Sequence, residues 1–454
     1  MSDLLRLTAV GAVDDGKSTL IGRLLHDTGQ IPDDHLEATL IASRKRGFDE
    51  LDLSLLTDGL MAEREQGITI DVAYRYFSIP GRKLILADCP GHLQYTRNMA
   101  TGSSTADLAL AVLDAERGIR DQTKRHLAIA FLFGISQFIV AVNKMDAVGY
   151  SEQAFERIRT ELDSVSVKLG IAGADLTVVP VSALTGENVV RRAGALAWHE
   201  GPTLLEALEN VASETTSFNF TATARLPVQY VIRRTGSARR YAGMVTGGIL
   251  RRGQDVVVLP AGVETRVVRI FGPAGELEVA HPLVSVSVEL EGDVGVQRGD
   301  VIADGAGAPY VTRRFESMLC WFDSLAAVAG GGYLVKIGTQ TTPARIEAVV
   351  TSLDIDAVAE VPASGLEQNG IGRVILETST PVAIDAYGDS RHTGSFILID
   401  KVTHATVAAG MVRGAVAGGA GSLTPAGSGE LAGSGDTVRS QVPTASRPAA
   451  RSWT

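Results

Sequence analysis

The stretch Gly11-Ala12-Val13-Asp14-Asp15-Gly16-Lys17-Ser18 fits G-x-x-x-x-G-K-[ST] at every constrained position. It lies between an apolar run, Leu4 to Val10, and a helical pattern that opens at Thr19. That context predicts a phosphate-binding loop between a strand and a helix. The glycines let the backbone curl until successive N–H groups face one anion, and the helix N-terminus adds partial positive charge. Lys17 is then expected to reach the β- and γ-phosphates, and the Ser18 hydroxyl to ligate Mg²⁺.

Outward from the loop, residues 4 to about 210 alternate short apolar runs with amphipathic stretches, which predicts a mostly parallel sheet covered by helices on both faces. The expected strands are Leu4–Val10, Leu84–Ala87, Leu108–Leu113, Phe138–Val142 and Leu176–Val181, with Val72–Ile79 as an antiparallel arm. A long polar insertion between Asp27 and Ile68 reads as two short helices. From Arg225 the pattern changes to short β-branched runs broken by glycine, which predicts a small β-barrel. A second such set begins near Arg313. The stretch from Gly414 to Thr454 is rich in Gly, Ala, Ser, Pro and Thr and is expected to lack order. The expected organisation is an α/β phosphate-loop domain over residues 1–215, β-barrels over 225–310 and 313–413, and a disordered tail over 414–454.

Composition bounds the function. The 454 residues are too many for one core, and 45% hydrophobic with 21% charged residues is ordinary for a soluble globular protein. No apolar run approaches the roughly 20 residues that cross a bilayer, and Met1-Ser2-Asp3 does not open a signal peptide. A cytoplasmic protein is expected. Cys89 and Cys320, the two cysteines, make neither a disulfide framework nor a zinc site. A net charge of −10 argues against nucleic acid as a partner.

Three more motifs specify what the loop receives. Asp88-Cys89-Pro90-Gly91 follows an apolar strand and matches D-x-x-G. Its aspartate is expected at Mg²⁺ and its glycine N–H at the γ-phosphate. Asn143-Lys144-Met145-Asp146 matches N-K-x-D, whose carboxylate accepts from guanine N1–H and the exocyclic amine. Adenine would leave that carboxylate unpaired. Ser182-Ala183-Leu184 ends a strand where a backbone N–H can meet guanine O6. Gly67-Ile68-Thr69-Ile70 closes the polar insertion, with Thr69 as a further Mg²⁺ ligand that senses the γ-phosphate. His92, next to Gly91, is the candidate that orients the attacking water.

With these motifs in order, the chain resembles the translation-factor class of GTPases, and within it the GTPase-subunit family of bacterial sulfate adenylyltransferase. GAVDDGKSTL from Gly11, EQGITIDVAYRYF from Glu65, DCPGHLQYTRNM from Asp88, DAERGIRDQTKRH from Asp114 and PVQY from Pro227 carry the resemblance, which covers about residues 4–413. One departure is Leu93, where the family is expected to hold an acidic residue. The resemblance implies GTP and Mg²⁺ as ligands. It also implies a hetero-oligomer with a small catalytic subunit that makes adenosine 5′-phosphosulfate and pyrophosphate from ATP and sulfate while this chain hydrolyses GTP. No second phosphate loop lies near the C-terminus, so a fused adenylylsulfate kinase is not expected. The competing expectations are an elongation factor that delivers aminoacyl-tRNA and a GTP-bound scaffold that does not hydrolyse. His92, Thr69 and Ser18 speak against the scaffold.

Overall fold

The computed structural model describes residues 3–45, 51–56, 71–171, 175–192, 194–212, 223–233 and 238–416. The expected Thr69 and its segment 67–70, the Leu93 side chain and the tail over 417–454 lie outside the described residues.

Six strands form the first sheet: β1 (Asp3–Gly11), β2 (Ala73–Ile79), β3 (Arg82–Asp88), β4 (Leu108–Asp114), β5 (Gln137–Asn143) and β6 (Asp175–Pro180), in the order β2-β3-β1-β4-β5-β6. All neighbours are parallel except β2 against β3. Every residue of β4 and β5 is buried, as a continuous apolar strand requires when helices cover both faces. On one face Leu20, Ile21 and Leu24 of α1 (Lys17–Asp27) pack with Leu204 and Leu208 of the helix Leu204–Asn210. On the other lie the helices Thr96–Ser103, Asp121–Leu132 and Glu152–Leu169, through Met99, Leu127, Phe155, Ile158 and Leu162. The parallel order places the C-terminal ends of β1, β3, β4 and β5 along one rim of the sheet, where open α/β sheets put their ligands.

The expected β-barrels follow. The first runs through Ala224–Pro227, Asp255–Leu259, Val263–Gly272 and Ser285–Leu290 around Leu226, Val256, Val267 and Val288. The second is a closed ring of six strands, Gly332–Ile337, Ser395–Ile399, Thr406–Ala415, Tyr310–Trp321, Ile371–Ile384 and Gln340–Asp354, shut by pairing of the last with the first. Phe315, Trp321, Leu376 and Phe396 fill it. The final strand continues past the expected start of the tail at Gly414. Gly414 and Ala415 pair with Glu316 and Phe315, and Val416 N–H donates to Arg314 O at 3.0 Å. Small residues hide this from a composition reading, because backbone hydrogen bonds to a long neighbouring strand need no large side chain.

The barrels are tied by a partly buried ion pair in which Arg225 donates through Nε and Nη2 to Asp385, both at 3.2 Å. Arg225→Ala takes the cation from the partly buried Asp385 carboxylate, to which Thr393 Oγ1 still donates, and is expected to remove about 2 kcal/mol of stability. A fall in the urea midpoint checks this, and an unchanged midpoint would show that the pair contributes nothing. The second barrel also docks on the sheet's helices. Met318, Cys320, Ile371 and Met411 join the core that holds Leu127 and Phe133, Arg125 Nη1 donates to Asn369 O, and Tyr387 Oη donates to Phe133 O at 2.9 Å.

Candidate functional site

Between β1 and α1 the chain turns in five residues, with one glycine inside the turn and another packed against it. Gly16 sits at φ +86°, where a Cβ would fall 2.4 Å from Asn143 Nδ2. Left-handed backbone and a close neighbour together admit only glycine there. At Gly91 a Cβ would fall 2.4 Å from Gly11 O, so the Asp88–Gly91 turn lies directly on the loop. Asn143 joins the third segment. Its Nδ2 donates to Asp15 O and its Oδ1 accepts from Ala183 N–H, both at 2.9 Å. The segments expected at one site, Gly11–Ser18, Asp88–Gly91, Asn143–Asp146 and Ser182–Leu184, are therefore brought together on the sheet rim, and one asparagine touches two of the others.

The charges are paired in a chain around the loop. Lys17 meets Asp88 in a buried ion pair, which places an ammonium and a hard-oxygen ligand side by side, with the Ser18 hydroxyl one residue from Lys17. Lys144 Nζ donates to Asp114 Oδ2 at 2.8 Å. Burial opposes the charge of Asp114, but Lys144 and the N–H groups of Glu116 and Arg117 hold its carboxyl below the usual range. Asp15 accepts from Ala12 N–H at 2.9 Å and pairs with Arg120. Burial nevertheless pushes its carboxyl up to about 6. Beneath, Cys89 contacts Thr8 Oγ1 at 3.2 Å, and burial raises its thiol to about 12. It is an inert core residue at neutral pH. Burial and the cations Lys17, Arg125 and Arg120 lower His126 to about 3, so that ring stays neutral.

At the other end Asp146 Oδ1 accepts from Ser182 Oγ at 2.6 Å. Lys144 at φ +62° turns the chain so that the buried Met145 anchors the segment, its N–H donating to Val181 O at 3.2 Å. The Ala183 N–H is engaged by Asn143, which leaves the Leu184 N–H as the donor this turn can offer. Arg23 of α1 holds that turn through Ala183 O at 3.0 Å and Leu184 O at 2.6 Å. His92 is exposed. Its ring lies 6.1 Å from Tyr95, and its Nδ1 accepts from Gln94 N–H at 3.4 Å. Those partners belong to its own turn, so the described contacts do not join it to the loop.

Sequence reasoning missed Arg23, Asp114 and Arg120. Motif patterns describe the residues that face a ligand, whereas these three brace such residues from behind. The charge-rich run Asp114–Arg120 at the end of β4 is the signal that could have drawn attention to two of them.

Two family models match the chain: "Elongation factor Tu GTP binding domain" over residues 2–214 and "GTP-eEF1A C-terminal domain-like" over residues 314–413. The chain is 48% identical over 411 residues to sulfate adenylyltransferase subunit 1 of Aeromonas hydrophila, covering 90% of this chain and 86% of that one. The chain belongs to the sulfate adenylyltransferase subunit 1 family. A family member from Laribacter hongkongensis is 46% identical over 416 residues, and the bifunctional enzyme CysN/CysC of Mycobacterium tuberculosis is 46% identical over 420 residues, 67% of its own length. Like the rest of the family, this chain is a GTPase of the elongation-factor type, an α/β nucleotide domain followed by β-barrels. Among the described residues no helix is long and apolar enough to cross a membrane.

Proposed function

We propose that this chain hydrolyses GTP as the large subunit of a sulfate adenylyltransferase and that the hydrolysis drives a small catalytic subunit to form adenosine 5′-phosphosulfate and pyrophosphate from ATP and sulfate. The observation that carries the proposal is the convergence of the four motif segments on one sheet rim in a chain 48% identical to a subunit of that name.

In this reading the loop N–H groups of Asp14 and of Gly16 to Thr19 cradle the phosphates, those of Ala12 and Asp15 being engaged by Asp15 Oδ2 and Ala12 O, and Lys17 leaves Asp88 for the β- and γ-phosphate oxygens. Ser18 and Asp88, both hard-oxygen donors, fit Mg²⁺, with Thr69 as the third protein ligand. When bound, that ion supplies positive charge against the phosphate oxygens. The carboxylate of Asp146, braced by Ser182, accepts from guanine, and the Ser182–Leu184 turn donates to O6. His92 orients a water whose oxygen bonds to the γ-phosphorus as the bond to the β–γ bridging oxygen breaks. The electron pair leaves with GDP.

A mixed anhydride of phosphate and sulfate is a high-energy product, so a second hydrolysis is needed to draw the reaction forward. The test is adenylylsulfate formation by the purified complex from ATP and sulfate, with and without GTP. Strong GTP dependence is expected. Equal yield without GTP, or binding of charged tRNA in its place, would overturn the proposal.

A further inference from the structure

The side chain of Arg120, the residue that precedes the helix Asp121–Leu132, runs back to the outside of the phosphate loop. Its Nη2 donates to Val13 O at 2.9 Å and pairs with Asp15 Oδ1. A trans peptide is planar, so the carbonyl of Val13 and the N–H of Asp14 point to opposite sides. With the carbonyl facing Arg120, the Asp14 N–H faces away from it. Among the described residues that N–H meets no acceptor. Asp14 lies at φ +69°, a left-handed conformation that a non-glycine residue keeps only when its surroundings impose it. Turned over, the same peptide would present the Val13 carbonyl on the side from which Arg120 now excludes it, and an oxygen lone pair there repels phosphate. Arg120 also sets its charge against the Asp15 carboxylate, whose other oxygen already holds Ala12 N–H.

We infer that Arg120 is a positioning residue that keeps the Val13–Asp14 peptide with its N–H toward the phosphates, and so sets how long guanine nucleotide stays bound. The inference rests on the reading of the loop as a GTP site. It explains why a loop that carries two carboxylates, Asp14 and Asp15, can receive a polyanion, since one of them is neutralised from behind.

The test is the dissociation rate of a fluorescent GDP analogue from the full chain, measured together with kcat at saturating GTP. Arg120→Ala is expected to speed dissociation by about 10- to 100-fold, the range for losing a charge-assisted hydrogen bond, while kcat changes by less than about threefold. Arg120→Lys, with one donor head in place of a fork, should recover part of the loss. A merely structural role would move kcat and the melting temperature along with dissociation. Dissociation from Arg120→Ala within about twofold of wild type would overturn the inference. If that variant does not fold, Arg120→Met decides, because it keeps the length of the side chain and can donate to neither Val13 O nor Asp15. Dissociation about 10-fold or more faster than wild type then upholds the assignment, and a slower one overturns it. Failure of the wild-type chain to bind the analogue would sink the GTP-site reading itself.

Discussion

Replacing His92 with alanine is expected to leave GTP bound and its hydrolysis slowed by roughly 10²- to 10⁴-fold, the range for losing a positioned catalytic group. Binding should survive because the segment proposed to hold the phosphates, Gly11 to Ser18, is braced by Asn143, Gly91 and Arg120, and the described contacts of the His92 ring are with Tyr95 and Gln94 of its own turn. Hydrolysis should fall because, in the proposed mechanism, the residue that follows Gly91 orients the water that attacks the γ-phosphorus. With Nδ1 accepting from Gln94 N–H, Nε2 is the ring nitrogen that can orient a water by donating to its oxygen. The exposure of the ring leaves it room to turn toward that water. The measurement is GTP turnover and adenylylsulfate yield in one reaction with the small subunit present. Both should drop together. A wild-type yield beside collapsed hydrolysis would show that the two reactions are not coupled, and unchanged hydrolysis would remove His92 from the mechanism.

The second large effect is expected at the base. Asp146 Oδ1 is occupied by the Ser182 hydroxyl, so in the proposed site guanine would be read chiefly by the other oxygen and by the charge that both share. Asp146→Asn replaces an acceptor with a donor opposite the N1–H and exocyclic amine. Two donors would then face each other across the base edge, which should lower GTP affinity by roughly 10²-fold or more. Xanthosine triphosphate carries an oxygen where guanine carries the amine, and it should gain in the same step. Displacement of a fluorescent GDP analogue by each triphosphate reads the switch. Unchanged GTP affinity would exclude Asp146 from base recognition.

The elements that bear these residues were legible for a local reason. The buried strands Leu108–Asp114 and Gln137–Asn143 are continuous apolar runs, and the motif segments sit at the strand ends where glycine or a polar residue breaks each run. The helix Asp33–Lys45 likewise stands in the polar insertion where a short helix was expected. The Gly414–Val416 extension was not legible, because its support is a backbone ladder on residues about a hundred positions earlier.

By itself the sequence determined the alternation of strand and helix, the two barrels that follow, and the phosphate and guanine motifs. Each of these rests on interactions within a few residues: side-chain period, glycine at a forced turn, an anion-facing helix start. Only the tertiary structure decided what braces the motifs. Arg120 meets Asp15 across 105 positions, Asn143 meets Ala183 across 40, and Arg225 meets Asp385 across 160. The chain carries 42 basic and 52 acidic side chains, and at such separations nothing local prefers one pairing to another. The choice is made when the sheet and barrels bring particular charges within reach away from water, where leaving any of them unpaired costs more than pairing them.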